Sequence, residues 1–255
     1  MTSAAPALSP ATAGGATKSA LIKGAGWAGL SEIVIRVTRI VTAVALARAM
    51  SVEEFGIAAL ALTVHELTRM FIQNGLGTRI VTADVRELAE VTTAVYWMNW
   101  GLGVLLFAVQ VLIAGPVAAW FGAPSLFPAL AALASVHVIY PLSMVQVYLA
   151  QRDNRWHVVS GATALQSAAD NIAMAVMAFG GFGIWSVVVP KIVIAVGWTV
   201  FHLRATPWHR TGAFDPAVAR RLMGFAAGVL GVEMLATLRA HGDKFAIGAL
   251  LGTGP

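Results

Sequence analysis

The chain has 255 residues, of which 58% are hydrophobic and only 11% charged, with a mean hydropathy of +0.77. A soluble domain carries about 25% charged residues, so this composition excludes one and fits a polytopic membrane protein. The net charge of +5 is scattered through loops between apolar stretches, which argues against a nucleic-acid surface; with no cysteine, disulfides, thiolate metal sites and a cysteine nucleophile are excluded.

Residues 1–21 are mostly Ala, Ser, Thr, Pro and Gly. They lack the basic start and apolar centre of a signal peptide and are expected to form a disordered tail, with Lys18 and Lys23 stationed before the first span. That span, 22–49, is long enough to cross a bilayer, yet it carries Glu32, Arg36 and Arg39 in its middle. Spacings of four and three put these side chains within roughly 60° of one another on a helix. Ala25, Gly29, Ala43 and Ala47 extend that face, and Trp27, Val34, Val41 and Ala45 lie opposite. A charge at the bilayer centre costs about 2.5–3.5 kcal/mol even on the gentler insertion scale. The charged face is therefore expected to look into protein or a wet cavity, either as an internal Glu32–Arg36 pair or as a cationic site.

The second span, 55–73, carries His65, Glu66, Arg69 and Gln73 on one stripe. Residues 78–90 read as a short amphipathic helix at the interface. The third span, 91–113, is expected to stop at Gly115-Pro116. The fourth, 126–149, contains His137, Tyr140, Pro141 and Gln146, and the proline predicts a kink. The fifth, 156–179, spaces Thr163, Gln166 and Asp170 by three and four. Gly180-Gly181 turns into the sixth, 182–203, with Pro190-Lys191 in mid-span. Asp170 and Lys191 each lie about ten residues, or ~16 Å, from that turn, which predicts a buried ion pair; the alternative is Lys191 reaching carbonyls freed by Pro190. A loop at 204–221 leads to a seventh span, 222–240, with Glu233 and Arg239. Residues 244–255 begin an eighth apolar stretch, so the chain is expected to be a truncated part of a longer one.

Placing the N-terminus inside puts ten basic residues in inner segments: Lys18, Lys23, Arg79, Arg86, Arg152, Arg155, Arg204, Arg210, Arg220 and Arg221. Only Arg48, Lys244 and the nearby Arg239 fall outside. The asymmetry predicts a cytoplasmic N-terminus.

Two apparent motifs fail on context. Gly24-Ala25-Gly26-Trp27-Ala28-Gly29 matches a dinucleotide fingerprint but has no preceding strand. His65-Glu66-Leu67-Thr68-Arg69 opens like a zinc-protease helix but has arginine at the second ligand position. The six histidines read as polar core or interface residues, Gly224/Gly228 and Gly248/Gly252 as close-packing pairs, and most tryptophans as an interfacial belt. No catalytic, metal or cofactor constellation emerges. Charges inside several spans, with featureless loops between them, point to transport rather than enzyme chemistry.

Five stretches resemble a known family. LARAMSVEEFGIAAL (46–60) resembles the LAR-x-L-x-x-x-E-[FY]-G turn between the first two helices of polysaccharide transporters, and FIQNGLGTRIV (71–81) the end of their second helix. FGIWSVVVPKI (182–192) is similar to their sixth helix, FDPAVARRLMGFAAGV (214–229) to the entry of the seventh and GDKFAIGALLG (242–252) to the opening of the eighth. In order over nearly the whole chain, they resemble a polysaccharide-biosynthesis flippase of the multidrug/oligosaccharidyl-lipid/polysaccharide superfamily, Wzx-like branch.

The resemblance implies an all-α transmembrane bundle of two six-helix lobes around an alternating cavity. This chain would supply the first lobe (22–203), the cytoplasmic linking loop (204–221) and the start of the second lobe (222–255). It also implies flipping of an undecaprenyl-pyrophosphate-linked oligosaccharide, with Arg36, Arg39 and Arg69 meeting the pyrophosphate. Glu32, Glu66, Asp170, Lys191 and Glu233 would support the cavity or form ion pairs. Membrane lipids, a polysaccharide polymerase and chain-length machinery are the implied partners. Competing readings are a cation-coupled multidrug exporter of the same superfamily, a membrane-embedded transferase, and a non-transporting remnant.

Overall fold

The computed structural model describes residues 10–73, 77–209 and 214–224, and these form helices joined by short turns, with no strand among them. The helices are α1 (Pro10–Ala49), α2 (Val52–Gln73), α3 (Gly77–Thr82), α4 (Leu88–Trp120), α5 (Leu126–Ala134), α6 (Val136–Ile139), α7 (Pro141–Arg152), α8 (Trp156–Phe179) and α9 (Trp185–Ala205), followed by a helical stretch at 216–224. Both α4 and α9 are long and apolar enough to cross a membrane, and α5–α7 qualifies as one bent span. Helices α1, α2 and α8 reach spanning length with polar residues along one side. The spans expected at 222–240 and from 244 lie outside the described residues.

Helix α1 begins at Pro10, so residues 10–21 continue the helix where a disordered tail is expected. Alanine is the best helix former, and proline is suited to a first turn whose N–H groups have no intrahelical partner. At 78–90 the structure also departs from expectation. Helix α3 ends at Thr82, and a turn in which Glu87 N–H donates to Asp84 O (3.1 Å) precedes α4. Helix α4 runs through Pro116 to Trp120 rather than stopping near Gly115.

Its stop lies further on. Ala123 N–H donates to Ala118 O and Gly122 N–H to Ala119 O, with Gly122 at φ +61°. This is the Schellman arrangement, in which a residue at positive φ lets the chain return its N–H groups to the last carbonyls. Two other helices end the same way. Arg155 donates to Ala150 O and Asn154 to Gln151 O, with Asn154 at φ +54°; Phe182 donates to Met177 O and Gly181 to Ala178 O, with Gly181 at φ +77°. A left-handed residue, glycine or asparagine, sits where each helix must stop.

The fourth span breaks at Pro141, and its two parts are inclined by 46°. Proline has no N–H to offer His137 O. That carbonyl instead presses toward α4, where a Cβ on Gly103 would lie 2.4 Å from it. Glycine at 103 is what allows the bent span to seat.

Two apolar cores result. One gathers Leu46, Ala61, Ala118, Leu126, Leu130, Leu133, Met174 and Val187, the other Ile80, Val91, Val95, Met144, Val145, Tyr148, Ala195 and Leu222. Between them, at mid-helix, lie the buried His65, Gln110, His137 and Asp170.

Gly103→Ala is expected to destabilise the bundle by about 1–3 kcal/mol, the usual cost of overpacking. Gly101→Ala should cost nothing comparable, because its added Cβ meets no atom within 4 Å. Thermal unfolding in detergent distinguishes them: a clear fall in Tm for the first and little change for the second.

Candidate transport-cavity face

The register of α1 on α8 fixes the site. Ser31 Oγ donates to Ser160 O at 2.9 Å and Thr42 Oγ1 to Asn171 O at 3.1 Å, both 129 residues apart. Asn171 Nδ2 adds a 3.4 Å bond to Thr38 Oγ1. Equal offsets along both helices mean that α1 and α8 run parallel, with hydroxyl bonds along the seam.

Helical periodicity then orients the other faces. At 100° per residue, Glu32, Arg36 and Arg39 lie roughly 80–140° round α1 from the sealing face, while Asp170 lies about 100° from Asn171 in the opposite sense. For parallel neighbours these rotations point to the same side. Leu30, Ile33, Val37 and Val44 on α1, and Leu165, Ile172, Val176 and Phe179 on α8, are exposed on the other side. The pair is therefore a two-sided wall, aliphatic on one surface and charged or polar on the other.

Helices α2 and α9 close onto the polar side. Lys191 Nζ is 2.7 Å from Asp170 Oδ2 and 3.7 Å from Glu66 Oε1. Lysine and aspartate are largely buried (side chains 20% and 10% exposed), whereas Glu66 is 44% exposed. Lys191 thus reaches a carboxylate rather than the carbonyls freed by Pro190. Gln166 Nε2 donates to the Tyr140 hydroxyl, tying α8 to the bent span.

On α1, Arg36 Nε donates to Glu32 Oε1 at 2.8 Å, one turn away, and both side chains are more than half exposed. Such an exposed pair contributes little stability. Arg39 is exposed and makes no ion pair among the described residues. The register puts Arg39 level with Ala168, about 3 Å along the axis from Asp170. Glu66 is drawn to Lys191 rather than to Arg36 or Arg39. Arg69 belongs to α2, one turn beyond Glu66, and only its backbone is described; Glu233 lies outside the described residues.

Sequence reasoning missed a buried polar network. Gln110 Nε2 donates to Leu130 O at 2.8 Å, its Oε1 lies 2.8 Å from His137 Nε2, and His137 stacks on His65 with centroids 5.0 Å apart. This network joins α2, α4, α5 and α6, and its histidines are packed polar core. The signal was available in His65, Gln110 and His137, polar residues near mid-depth of three apolar spans.

Removing one member of a buried pair strands the other charge. Asp170→Asn and Lys191→Met should each lower stability, and the double variant should recover part of the loss, with a coupling of at least ~1 kcal/mol in a double-mutant cycle. Strictly additive losses would contradict a direct pair.

The comparisons with known proteins bear on the whole bundle. The chain is 30% identical over 180 residues to the succinoglycan biosynthesis transport protein ExoT of Rhizobium meliloti (strain 1021), covering 67% of this chain and 34% of that protein. It is 23% identical over 237 residues to the teichuronic acid biosynthesis protein TuaB of Bacillus subtilis (strain 168), covering 91% and 48%. It is also 26% identical over 120 residues to the lipopolysaccharide biosynthesis protein WzxC of Escherichia coli (strain K12), covering 47% and 24%. The chain spans about half the length of these relatives or less. No solved structure matches it. A family model described as polysaccharide biosynthesis protein matches residues 45–254, and the chain belongs to that family.

Proposed function

We propose that this chain forms the first lobe of a transporter that carries a lipid-linked saccharide across the bacterial inner membrane during polysaccharide synthesis. The observation that carries the reading is the two-sided α1–α8 wall, with Arg36 and Arg39 on the side where Lys191, Asp170 and Glu66 converge. An aliphatic surface facing lipid and a charged surface facing inward are what a cavity wall needs. The relatives named for transport and for surface polysaccharides support the same role.

Within this reading the headgroup is a pyrophosphate on a polyprenyl carrier such as undecaprenol. Guanidinium groups present planar pairs of donors that fit phosphate oxygens. Arg39, with no internal ion pair among the described residues, is the first contact, and Arg36 the second, released from a weak exposed pair with Glu32. Arg69 joins them from α2. The Lys191 cluster braces the wall at the same level. A second lobe completes the cavity and lets it open alternately to each side. The N-terminus is cytoplasmic, on the side where the loop arginines gather, and polymerase and chain-length proteins receive the exported glycan.

Arg→Lys at these sites keeps a point charge and removes the fork. Expressed from the complete native reading frame in an exporter-deficient strain, Arg36→Lys and Arg39→Lys should insert at normal levels. Each should cut glycan export about tenfold or more, as loss of a charge-assisted hydrogen bond of about 1.5–3 kcal/mol implies. Export at normal rates by both variants would leave the arginines as scaffold and refute the site.

A further inference from the structure

The outward side of α9 carries a feature that the cavity does not use. Gly197, Val200, Phe201, Arg204 and Ala205 line an open groove of about 420 Å³. Their spacing places them on one stripe, opposite the buried Ala195, Thr199 and His202. Gly197 makes the notch: a Cβ there would meet no atom within 4 Å, and Val196, Val200 and Phe201 around it are exposed. Arg204 closes one end of the groove, is exposed and makes no hydrogen bond or ion pair among the described residues.

Depth gives these residues meaning. Nineteen residues separate Trp185 from Arg204 along α9, or about 28 Å, close to the ~30 Å thickness of the hydrocarbon. Arg204 therefore lies at the headgroup level, while the groove runs from it about 10 Å toward the hydrocarbon, as far as Gly197. Nearby, Arg155 Nη1 donates to Ala205 O at 3.1 Å and so occupies the carbonyl end of the helix. Arg204 is left with its donors turned to the interface.

We propose that this groove binds one anionic phospholipid, its phosphate held by Arg204 and an acyl chain laid in the Gly197 notch. Charge complementarity selects the headgroup, and the glycine gap sets where the chain lies. The site is on the far side of α9 from the bundle interior and is independent of the transport reading.

Native mass spectrometry of the purified, delipidated full-length protein tests this, with dioleoylphosphatidylglycerol and dioleoylphosphatidylcholine titrated separately. The unaltered protein should retain one phosphatidylglycerol at concentrations where phosphatidylcholine is lost. Arg204→Gln should reduce the preference about tenfold and Arg204→Lys should restore much of it. Gly197→Leu, whose Cβ meets no atom within 4 Å, should fill the notch and weaken binding of both lipids. Arg221→Gln, which does not line the groove, should change nothing. Equal retention of the two lipids by the unaltered protein, or an unchanged preference in Arg204→Gln, would overturn the proposal. So would undiminished binding in Gly197→Leu.

Discussion

An ammonium group in the middle of an apolar bundle is costly unless a carboxylate meets it, and Lys191 meets two. The rest of the arrangement depends on this junction. Asp170 holds it from α8 and Glu66 from α2, so the α8–α9 hairpin and the distant α2 share one electrostatic fixture. The hydroxyl-sealed register of α1 on α8 then carries the arginine face to the same side. The two apolar cores lie on either side of this level, so the polar residues form a layer at mid-depth rather than a scatter. The Gln110–His137–His65 network extends that layer through the bent span. Breaking the junction would affect both the wall and its packing.

The loops look featureless because their work is backbone accounting. Helices α4, α7 and α8 return their last carbonyls to N–H groups through a left-handed residue at Gly122, Asn154 and Gly181. Two arginines at the α7–α8 junction do the same for more distant helices. Arg152 Nη1 donates to Ile80 O at 3.0 Å and Val81 O at 3.2 Å, and Arg155 reaches Ala205 O. Read as sequence, both count toward the positive-inside asymmetry. In the fold they also clamp the ends of α3 and α9, which is a reason for arginine, with its forked donors, in place of lysine.

Much of the architecture was legible because apolar length and proline position are strong local signals. The kink at Pro141 follows from a missing N–H, and the Asp170–Lys191 contact follows from equal distance to a tight turn. What was not legible required knowing which face meets which helix. Nothing local tells that Glu66 meets Lys191 and not Arg39, since the three lie at comparable depth and only the packing of α2 against α4 and α5 decides. The α1–α8 seal is written in Ser31, Thr38 and Thr42, but hydroxyls in a span bond equally well to their own helix, as Thr38 also does with Val34 O. The stop of α4 was misplaced because Pro116 was read as a terminator, whereas the termination chemistry sits at Gly122.

If α1 has a wet charged face and an opposing lipid face, its two surfaces differ in their access to water. The chain contains no cysteine, so single cysteines at Glu32, Arg36 and Arg39 and at Ile33, Val37 and Val44 can be introduced into the otherwise native sequence. The measurement is the rate of labelling in intact membranes by a charged, membrane-impermeant maleimide. Rapid labelling is expected at the first three positions and little at the second three, a pattern repeating with the helical period. Equal labelling at all six, or faster labelling at Ile33, Val37 and Val44, would contradict it.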